Sequence, residues 1–129
     1  MANGSISDGC GTTNISNIEN LLGTILGDTL TGDANNNTLD GNAGDDVIDG
    51  GAGNDYLLGG EGNDTLSGET GVDKYDGGEG EDTLDFYSTG ASVSVNLSTT
   101  GVLNDGYGNV ETTIISIENL AGTLDYGDT

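Results

Sequence analysis

The sequence predicts an all-β fold: a two-sheet parallel solenoid with eighteen residues per coil, followed by a short non-repeat β extension. Three observations predict it. Seven nonapeptides follow one another without a gap, each carries a large apolar residue at its eighth position, and the 129 residues include 25 glycines and no proline.

The copies run from Gly23 to Asp85: GTILGDTLT, GDANNNTLD, GNAGDDVID, GGAGNDYLL, GGEGNDTLS, GETGVDKYD and GGEGEDTLD. Position one is glycine throughout. Position six is Asp28, Asn37, Asp46, Asp55, Asp64, Asp73 and Asp82, and position eight is Leu30, Leu39, Ile48, Leu57, Leu66, Tyr75 and Leu84. Self-similarity at a fixed period is the mark of a repeat architecture. A period of nine matches no helix but divides into six residues of turn and three of strand, with glycine supplying backbone conformations closed to other residues. A three-residue strand is not stable alone, so successive copies must stack. Two nonapeptides then form one coil, strands alternate between two parallel sheets, and the position-eight side chains meet between them.

Stacking also places the carboxylates. Turns eighteen residues apart lie on the same edge of the solenoid, separated by about one strand spacing of 4.8 Å. One edge carries Asp28, Asp46, Asp64 and Asp82, and the other carries Asn37, Asp55 and Asp73. Two unit charges about 5 Å apart repel by roughly 3 kcal/mol at an effective dielectric near 20. A cation between coils would reverse that sign. The glycine-rich turns offer carbonyl oxygens, there is no histidine, and Cys10 lies outside the array. An all-oxygen, irregular and largely backbone donor set favours calcium over magnesium and disfavours zinc or copper.

The copies are similar to GGxGxDxUx (U a large apolar residue), the repeat of the RTX or hemolysin-type calcium-binding family. Gly50–Leu58, Gly59–Ser67 and Gly77–Asp85 match it fully, and Gly41–Asp49 departs only at Asn42. The resemblance covers about half of the chain and implies a parallel β-roll. It implies that each calcium lies between two turns of one edge, held by position-six carboxylates and by carbonyls of the glycine-rich positions. The residues concerned are Asp28, Asn37, Asp46, Asp55, Asp64, Asp73 and Asp82, with Gly41, Gly44, Gly50, Gly51, Gly53, Gly59, Gly60, Gly62, Gly77, Gly78 and Gly80. Pairing them along each edge suggests about five ions. Asn37 is neutral and the first two copies lack the fourth-position glycine, so the N-terminal site of each edge is expected to be weaker or altered.

The composition excludes other roles. With 23 acidic residues against the single base Lys74, the net charge is −22. A polyanion of this strength repels nucleic acid and anionic lipid. The polar leader at residues 1–17 resembles neither an export signal nor a membrane span, so no membrane insertion is expected. No catalytic motif is visible: there is no GxSxG, no HExxH and no histidine, and carboxylates repeated in every coil form a lattice rather than an active site. An ice-binding face would need a rank of threonines, and position three reads Ile25, Ala34, Ala43, Ala52, Glu61, Thr70 and Glu79. Cys10, alone, reads as a surface thiol or an intermolecular bridge.

The roll is expected over residues 18–85 and the β extension over 86–129. Within the extension, Ser92–Leu97 alternates like a half-buried strand, Asn104–Asn109 is a turn whose Asp105 and Asn109 could hold another ion, and Thr112–Ile117 is a β-branched strand. The segment Ile117-Glu-Asn-Leu-Ala-Gly-Thr123 echoes Ile18-Glu-Asn-Leu-Leu-Gly-Thr24, and Gly127–Thr129 echoes Gly27–Thr29. The extension thus ends in a partial repeat that the N-terminal end of another copy could complete, giving head-to-tail assembly; a segment of a tandem array would look the same. The resemblance implies a bacterial protein secreted by the type I route to the cell surface or medium. Together with the echo, the expected function is a non-enzymatic extracellular protein that folds on calcium and self-assembles head to tail into a fibre or surface structure; the alternative is the folding and secretion module of a larger secreted enzyme or adhesin.

Overall fold

The computed structural model describes residues 4–7, 12–15, 18–86, 103–104, 110–111 and 113–121. Its core is the expected roll. One sheet contains β3 (Asn20–Leu22), β5 (Thr38–Ala43), β7 (Tyr56–Glu61), β9 (Lys74–Glu79) and β13 (Thr113–Ile115), in that spatial order and all parallel. The facing sheet stacks β4 (Thr29–Thr31), β6 (Val47–Asp49), β8 (Thr65–Ser67), β10 (Thr83–Asp85) and β14 (Asn119–Ala121), also parallel.

Register follows the sequence period. Leu30 lies opposite Ile48, Ile48 opposite Leu66 and Leu66 opposite Leu84 in one sheet; Leu39, Leu57 and Tyr75 align in the other. All seven position-eight side chains are at most 2% exposed, and Phe86 and Ile114 complete the core. Their neighbours at position seven point outward, as period-two geometry requires, which leaves Val47, Tyr56 and Lys74 exposed.

The two sheets are not equivalent. The division into six residues of turn and three of strand holds for β4, β6, β8 and β10. In the other sheet β5, β7 and β9 each run for six residues, because pairing continues past position nine from Asn42 to Gly60 and from Gly60 to Gly78. On the opposite edge, among the described residues, only the isolated Ala52–Thr70 bridge persists.

The ends also differ from the sequence reading. Within the polar leader, β1 (Gly4–Ser7) pairs antiparallel with both β4 and β2 (Thr12–Ile15), closing the N-terminal edge of that sheet. At the other end, β13 and β14 stack on β9 and β10, so residues 113–121 continue both sheets of the roll. The short strands β11 (Leu103–Asn104) and β12 (Val110–Glu111) pair antiparallel on either side of the expected turn. Cys10, Ser92–Leu97, Asp105, Asn109 and Gly127–Thr129 lie outside the described residues.

Truncating the single-file core has no neighbouring layer to absorb it. Leu66→Ala is expected to destabilise the calcium-loaded protein by about 3 kcal/mol, while Ser67→Ala on the outer face stays within about 0.5 kcal/mol. Chemical denaturation in saturating calcium checks both.

Candidate metal centre

Each turn begins at a position-one glycine and ends at the position-six residue, which enters the following strand. All seven position-six side chains are buried: Asp28, Asn37, Asp46, Asp55, Asp64, Asp73 and Asp82 are each no more than 4% exposed. They form two columns, 28-46-64-82 and 37-55-73, one on each edge.

A ladder of side chain to backbone hydrogen bonds joins them. The backbone N–H of Asp28 donates to Asp46 Oδ1 (2.6 Å), that of Asp46 to Asp64 Oδ1 (2.8 Å) and that of Asp64 to Asp82 Oδ1 (2.9 Å). On the other edge Asn37 donates to Asp55 Oδ1 and Asp55 to Asp73 Oδ1, both at 2.8 Å. The second oxygen is left over. Asp46, Asp55, Asp64 and Asp82 each bury an Oδ2 that accepts no hydrogen bond. Asp28, with no regular coil before it, leaves Oδ1 bare instead and takes the N–H of Thr24 on Oδ2 (2.6 Å). The Asp73 carboxylate differs, since its Oδ2 accepts from the Tyr75 hydroxyl at 3.4 Å. A buried acceptor without a donor is costly, and a buried bare carboxylate more so.

These bare oxygens point into cradles that a side chain at position one would fill. A Cβ on Gly41 would meet both Asp46 Oδ2 and the carbonyl of Gly59, the latter at 2.7 Å. On Gly59 it would strike Asp64 Oδ2 and the Gly77 carbonyl, and on Gly50 it would lie 2.6 Å from Asp55 Oδ2. Carbonyls at positions two and four also stack between coils: Gly60 faces the carbonyl of Asn42, Gly78 that of Gly60, Gly62 that of Gly44 and Gly80 that of Gly62. Left-handed backbone brings them there, with φ of 115° at Gly60 and 137° at Gly62. On the second edge Gly51 and Gly53 face the carbonyls of Asp33 and Asn35. Gly44 differs from these, for across its gap stands the Leu26–Gly27 backbone rather than a carbonyl oxygen.

Among the described residues no three acidic, histidine or cysteine side chains gather as a metal-binding group. A cation here would therefore take backbone carbonyls along with one or two carboxylates. That all-oxygen donor set suits calcium.

The RTX calcium-binding nonapeptide repeat (4 copies) matches residues 22–57 and 50–84. This chain carries an RTX calcium-binding repeat array. No curated protein and no solved structure gives a significant match. No helix among the described residues is long and apolar enough to cross a membrane.

The RTX turns fall into two conformational groups. The last five turns hold position two at positive φ, even where it is Asn42 (78°) or Glu69 (55°), whereas Thr24 and Asp33 in the first two do not. In those two turns the position-two N–H points inward, from Thr24 to Asp28 Oδ2 and from Asp33 to Asn37 Oδ1. The oxygen left bare elsewhere is thus engaged by its own loop. Asn42 also donates its side-chain amide to the Thr24 carbonyl, and Asn35 wraps the buried Asp33 carboxylate with two N–H groups. The first gap on each edge is closed by protein groups.

The RTX array holds a second ladder that the repeat consensus leaves unspecified. At position five, Asn36 Oδ1 accepts the N–H of Asn54, Asp45 Oδ1 that of Asn63, Asn54 Oδ1 that of Val72 and Asn63 Oδ1 that of Glu81, at 2.9 to 3.0 Å. It runs opposite to the position-six ladder. Between successive coils, position five accepts from the later coil while position six donates to it. The signal was available in sequence: position five is Asn or Asp in copies two to five, and departs in the last two.

Burial raises the carboxylates of this array. Asp55 is pushed up to about 7 and Asp64 to about 6, desolvation being the main cause. Like charges add to it: Asp73, Asp33 and Asp49 around Asp55, and Asp46, Asp82 and Asp45 around Asp64. Bonds from the Asn37 and Asp46 N–H groups act in the other direction. Asp46 and Asp82 are raised as well, again mainly by burial. Without a counter-ion, folding takes up protons, so stability is fully present below the ordinary carboxylate value of about 4 and is lost as pH rises through 6 to 7. In chelator, β-structure followed by circular dichroism is expected to increase on acidification from pH 8 to pH 5. With calcium, the folding midpoint should move to higher calcium over the same descent, because protons compete for the same oxygens. An ion-free signal indifferent to pH would contradict this.

Proposed function

We propose that the chain is a non-enzymatic, extracellular bacterial module that folds on calcium and then associates head to tail with copies of itself in a fibre or surface structure. The observation that carries calcium-dependent folding is the set of bare, buried carboxylate oxygens of Asp46, Asp55, Asp64 and Asp82. Their gaps would hold the ions, with Gly59 and Gly77 lending carbonyls. Bound there, calcium supplies the positive charge that the buried carboxylates lack. Ligand that binds only the folded state adds about 2.7 kcal/mol per site at a hundred times its Kd. Several such sites outweigh the repulsion of a chain of net charge −22. Where calcium is scarce the chain stays unfolded and fit for export by a type I route; at external calcium levels it coils.

Assembly at the N-terminal end would use β3, the terminal strand of its sheet, beside the exposed Leu22, Ile25 and Leu26. The second reading is a folding and secretion module of a larger secreted enzyme or adhesin. It is favoured by the β1–β2 hairpin, which covers the corresponding edge of the other sheet. Calcium titration followed by circular dichroism, sedimentation and electron microscopy separates the two. Filaments that appear with the β signal support assembly, a calcium-folded monomer at every concentration supports the module, and a chain fully coiled in chelator at pH 8 overturns both. Within the same titration, Asp64→Ala is expected to raise the calcium needed for folding several-fold more than Asn37→Ala, because the neutral Asn37 oxygen is already taken by the Asp33 N–H whereas Asp64 leaves a charged oxygen bare.

A further inference from the structure

Beyond the nonapeptides, the structure repeats the metal-site geometry once more. Leu120 lies opposite Leu84, so Glu118 falls at the position-six slot of the coil above Asp82. It takes up that role: the Asp82 N–H donates to Glu118 Oε2 at 3.0 Å, extending the Asp46–Asp64–Asp82 ladder by one rung with a longer side chain. The longer arm goes with a shorter connection: Ile115 pairs with Asp76 and Asn119 with Thr83, so Ser116-Ile117-Glu118 span in three residues what the repeat spans in six, Gly77–Asp82. Ser116 makes this turn at φ 52°, and its carbonyl faces the Cα of Gly77, where a Cβ would strike it together with Asp82 Oδ2. That is the arrangement of the Gly59 cradle, with Ser116 in place of Gly77. Asp82 is 0% exposed, and its Oδ2 is buried with no hydrogen bond.

We propose that Asp82, Glu118 and the Ser116 carbonyl form an additional calcium site that clamps residues 113–121 onto the roll. The proposal rests on the reading of the repeats as a calcium array, but two of its three ligands, Ser116 and Glu118, lie past the matched residues 22–84. Backbone bonds from Glu118 and Asn119 to the Asp82 carbonyl, and from Phe86 to the Ala121 carbonyl, cross the same junction. Docking of β14 and filling of the site are therefore linked. The Ile-Glu-Asn-Leu segment is a terminal half-coil in which glutamate serves as position six. Its N-terminal echo occupies the matching place, since Leu21 lies opposite Leu39 and sets Glu19 one coil before Asn37.

The test uses the full chain and the conservative variant Glu118→Gln, which keeps an acceptor for the Asp82 N–H and removes one negative charge. Calcium affinity falls with ligand charge. Hydrogen exchange across a calcium titration should show wild-type amides of 113–121 becoming protected together with calcium uptake. In Glu118→Gln that protection should need on the order of tenfold more calcium, while residues 41–85 respond as in the wild type. Equilibrium dialysis at a calcium level that just saturates the wild type should find one ion fewer per variant chain. If 41–85 orders with calcium and the variant matches the wild type in both measurements, the terminal site is wrong and the array reading stands. If 41–85 fails to order with calcium in the wild type, both fall.

Discussion

A carboxylate half-satisfied inside a protein governs this molecule. Asp46, Asp55, Asp64 and Asp82 are each buried with one oxygen tied to the backbone of the coil before it and the other left without a hydrogen bond beside a position-one glycine. Such an atom is tolerable only if a proton or a cation meets it. The hydrophobic column beside it is one side chain wide per sheet and cannot offset repeated buried charge alone. Charge compensation is therefore a condition of the fold rather than an addition to it.

The division of the turns into two groups gives the roll a graded character. Where position two is left-handed, the turn exposes oxygens to the gap. Where it is not, as at Thr24 and Asp33, the turn satisfies its own side chains and the gap becomes ordinary protein. The N-terminal turns are thus closed by hydrogen bonds of their own, whereas the interior turns keep bare carboxylate oxygens. The hairpin of β1 and β2 stands on the self-sufficient end, where a strand partner adds pairing without interfering with a metal cradle.

Much of this was legible in the sequence because it is periodic. Leu30 to Leu84 at position eight fixed the core, the glycines at position one marked the cradles, and Asp46 to Asp82 marked the columns. What was not legible has physical reasons. The six-residue strands arise from pairing that continues through Asn42, Gly60 and Gly78, residues that read as turn formers. The hairpin at Gly4–Ser7 carries no repeat signal and depends on an edge that only the assembled sheet provides. The position-five ladder was written in Asn36, Asp45, Asn54 and Asn63, but its meaning requires knowing which amide lies one coil above. The echo of Ile18–Thr24 in Ile117–Thr123 was visible as similarity. Its place as a half-coil at each end became clear only from the pairing of Leu21 with Leu39 and of Leu120 with Leu84.

The opposed ladders carry a consequence for how such a chain can change in length. Within the nonapeptides each rung spans eighteen residues, joining turns of one edge and never of both. Gain or loss of a pair of nonapeptides keeps every later acceptor beneath its own donor. Gain or loss of a single nonapeptide would transfer all downstream turns to the opposite side, setting the long-strand sequences in the short-strand sheet and Glu118 over the wrong column. The array can grow or shrink by recombination only in even steps.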